Sequence, residues 1–106
     1  MDTQEQLKYP LGKFALDADV TPEKRAAWIA EIAGLPQAVR RTVQGLSQEQ
    51  LDTPYREGGW STRQIVHHLA DSHMNAMLRL KLCLTEQEPS VTLYSQDAWA
   101  RTADVL

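Results

Sequence analysis

The chain has 106 residues, of which 42% are hydrophobic and 24% charged, and its formal net charge is −3. These values predict one soluble globular domain over residues 1–106, and the basic side chains are scattered among acidic ones, so nucleic acid is not the expected partner. No apolar leader or membrane span is apparent, and a single cysteine, Cys83, excludes an intrachain disulfide. We therefore expect a cytoplasmic protein without a membrane partner.

The first predicted helix covers residues 22–46. Thr21 is the expected N-cap and Pro22 the first helical residue, and apolar side chains then recur every three or four positions. Gly34 and Pro36 are expected to kink or split this helix, and Gly45 to end it. The sequence thus predicts a helix with one apolar stripe facing a core.

A second long helix is predicted over residues 61–87. A short helical turn around "SQEQL" and the loop "TPYREGG" precede it, and Ser61 with Gln64 forms a capping box. Pro89 stops the helix, and "SQDAWARTADVL" is typical of a third helix. We expect an all-helical fold in which the two long helices pack antiparallel through their apolar stripes.

All three histidines lie on this second helix. On a helical wheel His73 falls within the apolar face, His68 begins a polar stripe beside that face, and His67 lies on the far side with Asp71. The three rings therefore cannot converge on one ion from this helix alone. Spacing favours a structural role for His73 and a solvated or locally paired ring for His67, and it leaves His68 evenly balanced between a structural role and a ligand.

The stretch "GGWSTRQIVHHLADSHMN" resembles the first-ligand region of the DinB-like superfamily. The pattern is a Trp and a small hydroxyl residue at a helix start, a histidine eight positions after the Trp, then Leu and Asp, here Trp60, Ser61, His68, Leu69 and Asp71. Together with "YPLGKF" and "GLSQEQLDTPYREGGW", it is similar to the YfiT-type metal-dependent hydrolases, which include bacillithiol S-transferase-like proteins.

This resemblance implies a four-helix bundle, often dimeric, that holds a zinc or nickel ion with three histidines. It implies that His68 is one ligand, with His67 as the fallback, and that an H-x-x-x-H pair on the last helix supplies the other two. No histidine follows His73 here. We therefore expect a C-terminally truncated chain with about the first three helices of the bundle, weak or absent metal binding, and an exposed apolar face that favours a homodimer.

The function that the resemblance implies is metal-dependent hydrolysis or thiol S-transfer, with the chain alone inactive. Asp71 is then a candidate catalytic or orienting carboxylate, although plain exposure suits it equally. Asn75, Arg79 and Arg56 are candidates for binding an anionic small-molecule thiol such as bacillithiol. Two alternatives stay open, a non-enzymatic helical interaction module and a dimer that shares His68 and His73 across a two-fold axis.

Overall fold

The computed structural model describes residues 3–106, and the regular elements within them are helices. They are α1 (Thr3–Lys8), α2 (Pro22–Val43), α3 (Gln48–Leu51), α4 (Thr62–Thr85) and α5 (Gln96–Trp99). Extended pairing among these residues is limited to an isolated antiparallel bridge between Pro54 and Ser61. The predicted all-helical class is confirmed.

The chain divides into two compact units, one ending at Glu49 and the other comprising Gln50–Leu106. Helices α1 and α2 belong to the first unit and α4 and α5 to the second, and the boundary divides the four-residue α3 between Glu49 and Gln50. The expected single domain and the expected antiparallel packing of the two long helices stay predictions.

Helix α2 begins as the sequence predicts. The Thr21 hydroxyl accepts a hydrogen bond from the Lys24 N–H at 3.1 Å, and Pro22 occupies the first turn. The expected split does not occur, because α2 runs continuously through Gly34 and Pro36 to Val43. The proline removes one backbone donor without ending the helix. Gly45, with a φ of +85°, follows the helix end as expected.

Helix α4 is the longest, with 24 residues, and it ends at Thr85, just before the predicted end at residue 87. Glu86 is already extended, and Glu88 has a positive φ of 49° directly before Pro89. The residue before a proline disfavours the right-handed helical conformation. Because Glu88 precedes Pro89, it is not helical, and α4 ends before it. The capping-box start and the stop before Pro89 are both features that the sequence predicted.

The third predicted helix is much shorter than expected. Helix α5 has four residues, and turns follow it to Val105. The single Thr102 hydroxyl hydrogen is shared between two acceptors, the Trp99 carbonyl at 2.9 Å and the Asp104 carboxylate. Such side-chain bonds to nearby groups compete with helical pairing, which accounts for the early end.

Few side chains are fully buried within residues 3–106. Ala100 and Val105 are each 2% exposed, and Ser61 is 9% exposed. Large apolar side chains of the α2 and α4 stripes lie open, among them Ile32 at 60% and Leu84 at 77%. None of the helices in the described residues has the length and apolar character needed to span a bilayer.

Candidate metal centre and substrate cavity

The start of α4 fixes the position of His68. The Ser61 hydroxyl accepts from the Gln64 N–H at 3.1 Å, and the Gln64 side chain accepts from the Ser61 N–H at 3.0 Å, which completes the predicted capping box. The Gln64 amide also donates to the Ala100 carbonyl at 3.0 Å. The first turns of α4 are therefore tied both to their own cap and to the C-terminal segment of the chain.

Trp60 contacts His68 directly. The two rings lie edge to face with centroids 5.0 Å apart and an interplanar angle of 68°. The Trp60 indole Nε1–H donates to Asp97 Oδ1 at 3.0 Å, and the Trp60 carbonyl accepts from the Tyr55 N–H at 3.1 Å. Trp60 is thus held from both sides, and its ring limits the orientations open to the His68 imidazole.

His67 and Asp71 are less exposed than the helical wheel predicts. Both are half-buried, and His67 is close enough to Asp104 to contribute to a lowered pKa of that carboxyl, whose largest cause is the Thr102 hydrogen bond. Half-burial fits a locally paired His67 and an orienting Asp71, the alternatives that the sequence left beside plain exposure, and both roles stay predictions. The C-terminal segment, whose Ala100 and Val105 are buried, accounts for the difference.

His73 shows the opposite deviation, since it is exposed although the pattern placed it within an apolar face. Its neighbours on that face, Met77 and Leu80, are also more than half exposed. No group of three or more metal-ligating side chains lies close enough to hold an ion within residues 3–106. A zinc-type site needs three or four protein ligands, so the donor set described here does not form one by itself.

A cavity of about 500 Å³ opens on the same face of α4 as His68. Asn75 and Arg79 line it, as do Leu93 and Tyr94 from the segment after the helix. His68, Ser72, Asn75 and Arg79 follow one another at spacings of four, three and four, so they share one helix face. The structure therefore brings two of the three predicted substrate-binding residues together beside the predicted ligand.

The third, Arg56, lies elsewhere. Its Nε–H donates to the Tyr55 hydroxyl at 3.0 Å and one terminal nitrogen donates to the Glu57 carbonyl at 3.0 Å. Its guanidinium also lies 5.4 Å from the centre of the Tyr55 ring. Arg56 is therefore engaged in its own loop, and it does not line the cavity that Asn75 and Arg79 share.

Three contributors to this region were missed by the sequence reasoning. They are Asp97, which holds Trp60, Tyr94, which lines the cavity, and the Ala100 carbonyl, which binds Gln64. Asp97 and Ala100 lie 37 and 36 positions from their partners, and Tyr94 lies on a separate segment after α4, so helical spacing could not reveal these contacts. The sequence predicted a helix in "SQDAWARTADVL", but it did not predict the hydrogen bond from Trp60 to Asp97 across 37 positions.

Comparisons with known proteins agree with this fold. The family model of the DinB superfamily matches residues 31–106. A provisional metal-dependent hydrolase from Geobacillus thermodenitrificans is 49% identical over 98% of this chain and 58% of its own length. One from Oceanobacillus iheyensis is 50% identical over 92% of this chain and 56% of its own length.

A solved structure is also similar to this chain. YfiT from Bacillus subtilis, described as a probable metal-dependent hydrolase with an unusual four-helix bundle topology, is 42% identical with a TM-score of 0.89. The match covers 94% of this chain and 57% of YfiT. The chain thus spans a little more than half the length of these relatives, and its family-model match covers well over half of its residues. The chain belongs to the DinB superfamily.

Proposed function

We propose that this chain is the part of a metal-dependent hydrolase or thiol S-transferase that contributes one metal ligand, His68, and a substrate cavity beside it. The relatives' names supply metal-dependent hydrolysis, and thiol S-transfer is the finer alternative that the family resemblance implies. The observation that carries the proposal is the Trp60 contact, because a half-buried imidazole held against a hydrogen-bonded indole has few orientations. Metal ligands need such restraint to keep one nitrogen directed at the ion.

A zinc or nickel ion bound by neutral imidazoles keeps its positive charge and lowers the pKa of a bound water or thiol. The chain's own residues act around that chemistry. His68 offers one nitrogen, and Asp71, half-buried three positions later on α4, is the candidate carboxylate that orients a ligand or substrate. Further ligands must come from outside the described residues, because those residues supply no complete set.

The proposed cosubstrate is a small thiol such as bacillithiol, and the cavity lined by Asn75 and Arg79 is its proposed location. A reducing cytoplasm suits this chemistry and the free thiol of Cys83. Arg56 is a weaker candidate, since its donors already bind Tyr55 and Glu57.

Metal analysis of the full-length protein tests the ligand assignment. We expect His68→Ala to lose most bound metal and activity, whereas His67→Ala and His73→Ala retain the metal. Asp71→Asn should keep the metal and lower kcat. Full metal occupancy in His68→Ala, with loss in His67→Ala, would transfer the assignment to the neighbouring imidazole.

A second candidate function is a helical interaction module, which the exposed apolar side chains of α4 favour. Met77, Leu80 and Leu84 are 56%, 57% and 77% exposed, and such surface usually meets a partner. A homodimer is the simplest assembly. Light scattering together with metal content separates the two functions, because an interaction module dimerises without retaining metal.

A further inference from the structure

The cavity beside α4 contains two buried polar atoms without partners. Within residues 3–106, Arg79 Nε and the Tyr94 hydroxyl are inaccessible to solvent and make no hydrogen bond. Both residues line the same cavity of about 500 Å³, one from α4 and the other from the segment before α5. A buried donor without a partner costs about 1–3 kcal/mol, so two of them on residues that line one cavity favour an acceptor that enters there and displaces the side chains now shielding them.

The other polar side chains of α4 in this cavity do not supply that acceptor. The Ser72 hydroxyl donates to the Leu69 carbonyl at 3.1 Å, and the Asn75 amide donates to the Asp71 carbonyl at 2.8 Å. Their donors are thus used by the helix backbone. Arg79 and Tyr94 therefore carry the two buried donors of this cavity that lack a partner within the described residues.

The charge of the cavity is positive. Its lining includes the Arg79 guanidinium and no aspartate or glutamate, and no ion pair of Arg79 is found in the described part of the chain. The Tyr94 ring is fixed against Trp99, with centroids 4.5 Å apart. A guanidinium and a phenol hydroxyl held on separate elements form a rigid pair of donors for an anion.

We propose that Arg79 and Tyr94 form a subsite for a single carboxylate on a small, partly apolar molecule. One cation matches the charge of one carboxylate, whereas a phosphate dianion carries more charge and more acceptor oxygens than two donors satisfy. Leu80, Leu93 and Ala76 supply the apolar part of the wall. The inference rests on the proposed function in assigning the carboxylate to the substrate, but the binding itself requires no metal.

Titration of the full-length protein with valerate, followed by NMR, tests the subsite. We expect saturable shifts of the backbone amide signals of Ala76 and Leu93, which line the cavity, with an affinity weakened about ten- to a hundredfold by Arg79→Gln and about tenfold by Tyr94→Phe. Lys81→Gln is the matched control, because it removes a positive charge from an exposed position on the same helix that does not line the cavity. Arg79→Lys should restore part of the affinity.

Several outcomes would overturn the assignment. They are unchanged valerate affinity in Tyr94→Phe, an equal loss in Lys81→Gln, and preferential binding of inorganic phosphate. Circular dichroism checks the fold of each variant, and Tyr94→Phe still decides the question if Arg79→Gln unfolds. Valerate binding that survives His68→Ala, in a protein without metal, would leave the subsite standing although the proposed function fails. Metal-dependent activity without valerate binding would support the proposed function and rule out the subsite.

Discussion

The two halves of α4 carry similar apolar patterns but differ in how they are covered. From Thr62 to Leu69 every side chain is at least half-buried, whereas between Ala76 and Thr85 most are exposed. The first half is tied to the C-terminal segment through Gln64 and Ala100. An amphipathic pattern thus marks a face that is suited to burial, and a second segment lying across that face is what buries it.

The largest expected effect comes from breaking the cover of the first half. Ala100→Asp places a charge at a position that is 2% exposed and has no cationic partner. We expect the free energy of unfolding to fall by about 3 kcal/mol or more, as measured by urea denaturation. Ala103→Asp, at an exposed position of the same segment, is the control and should change it by less than about 0.5 kcal/mol. Equal effects would show that the segment does not cover α4.

The cap of α4 should give the next largest effect. Ser61→Ala removes the acceptor of the Gln64 N–H at a nearly buried position, and we expect a loss of about 1 kcal/mol in the free energy of unfolding. Ser95→Ala removes the corresponding bond to the Ala98 N–H in the four-residue α5, and it should cost less. A larger loss of unfolding free energy in Ser95→Ala would show that the cap of α5 contributes more to stability than the cap of α4.

Local patterns in the sequence predicted much of this fold. Thr21 with Pro22, and Ser61 with Gln64, mark helix starts through groups that lie within one turn of each other, and both starts are confirmed. The short length of α5 was not predicted, because the Thr102 and Asp104 side chains compete with a helix that their neighbours favour.

The sequence predicted only part of the candidate site. The family resemblance selected His68, and helical spacing placed Asn75 and Arg79 on its face. The restraints on this face come from far along the chain, from Asp97, Tyr94 and Ala100. Periodicity describes one helix at a time, so it placed His67 and Asp71 opposite the apolar face and could not show that the C-terminal segment lies near them.

The link between Asp97 and Trp60 should have a moderate effect. Asp97→Ala removes the acceptor of the indole N–H, and we expect a loss of about 0.5–1.5 kcal/mol in the free energy of unfolding together with shifted His68 ring-proton signals. Asp97→Asn keeps an acceptor oxygen and should restore the indole N–H signal. If His68 signals stay unchanged in Asp97→Ala, Trp60 does not transmit this restraint.

The uncovered half of α4 should respond weakly in stability but clearly in association. Leu84 is 77% exposed, so Leu84→Gln should change the free energy of unfolding by less than about 0.5 kcal/mol. The same change should weaken self-association, as measured by light scattering over a range of concentrations. Thr85→Gln, at the adjacent exposed position, serves as the control. A large loss of stability in Leu84→Gln would mean that this half is covered as well.

The smallest expected effect is the pH response of the covering segment. The Thr102 hydroxyl lowers the pKa of Asp104 from its ordinary value of 3.8, burial opposes this, and the Asp104 backbone N–H and the nearby His67 lower the pKa further. Because the folded carboxyl is the stronger acid, its contribution to stability is present above pH 3.8 and is lost as the pH falls through the lowered folded pKa. Asp104→Asn should therefore differ from the wild type by a constant amount at neutral pH, and the difference in urea midpoint should shrink below pH 3.8. Thr102→Val removes the donor and should behave in the same way, whereas a difference that grows on acidification would contradict the role of this hydrogen bond.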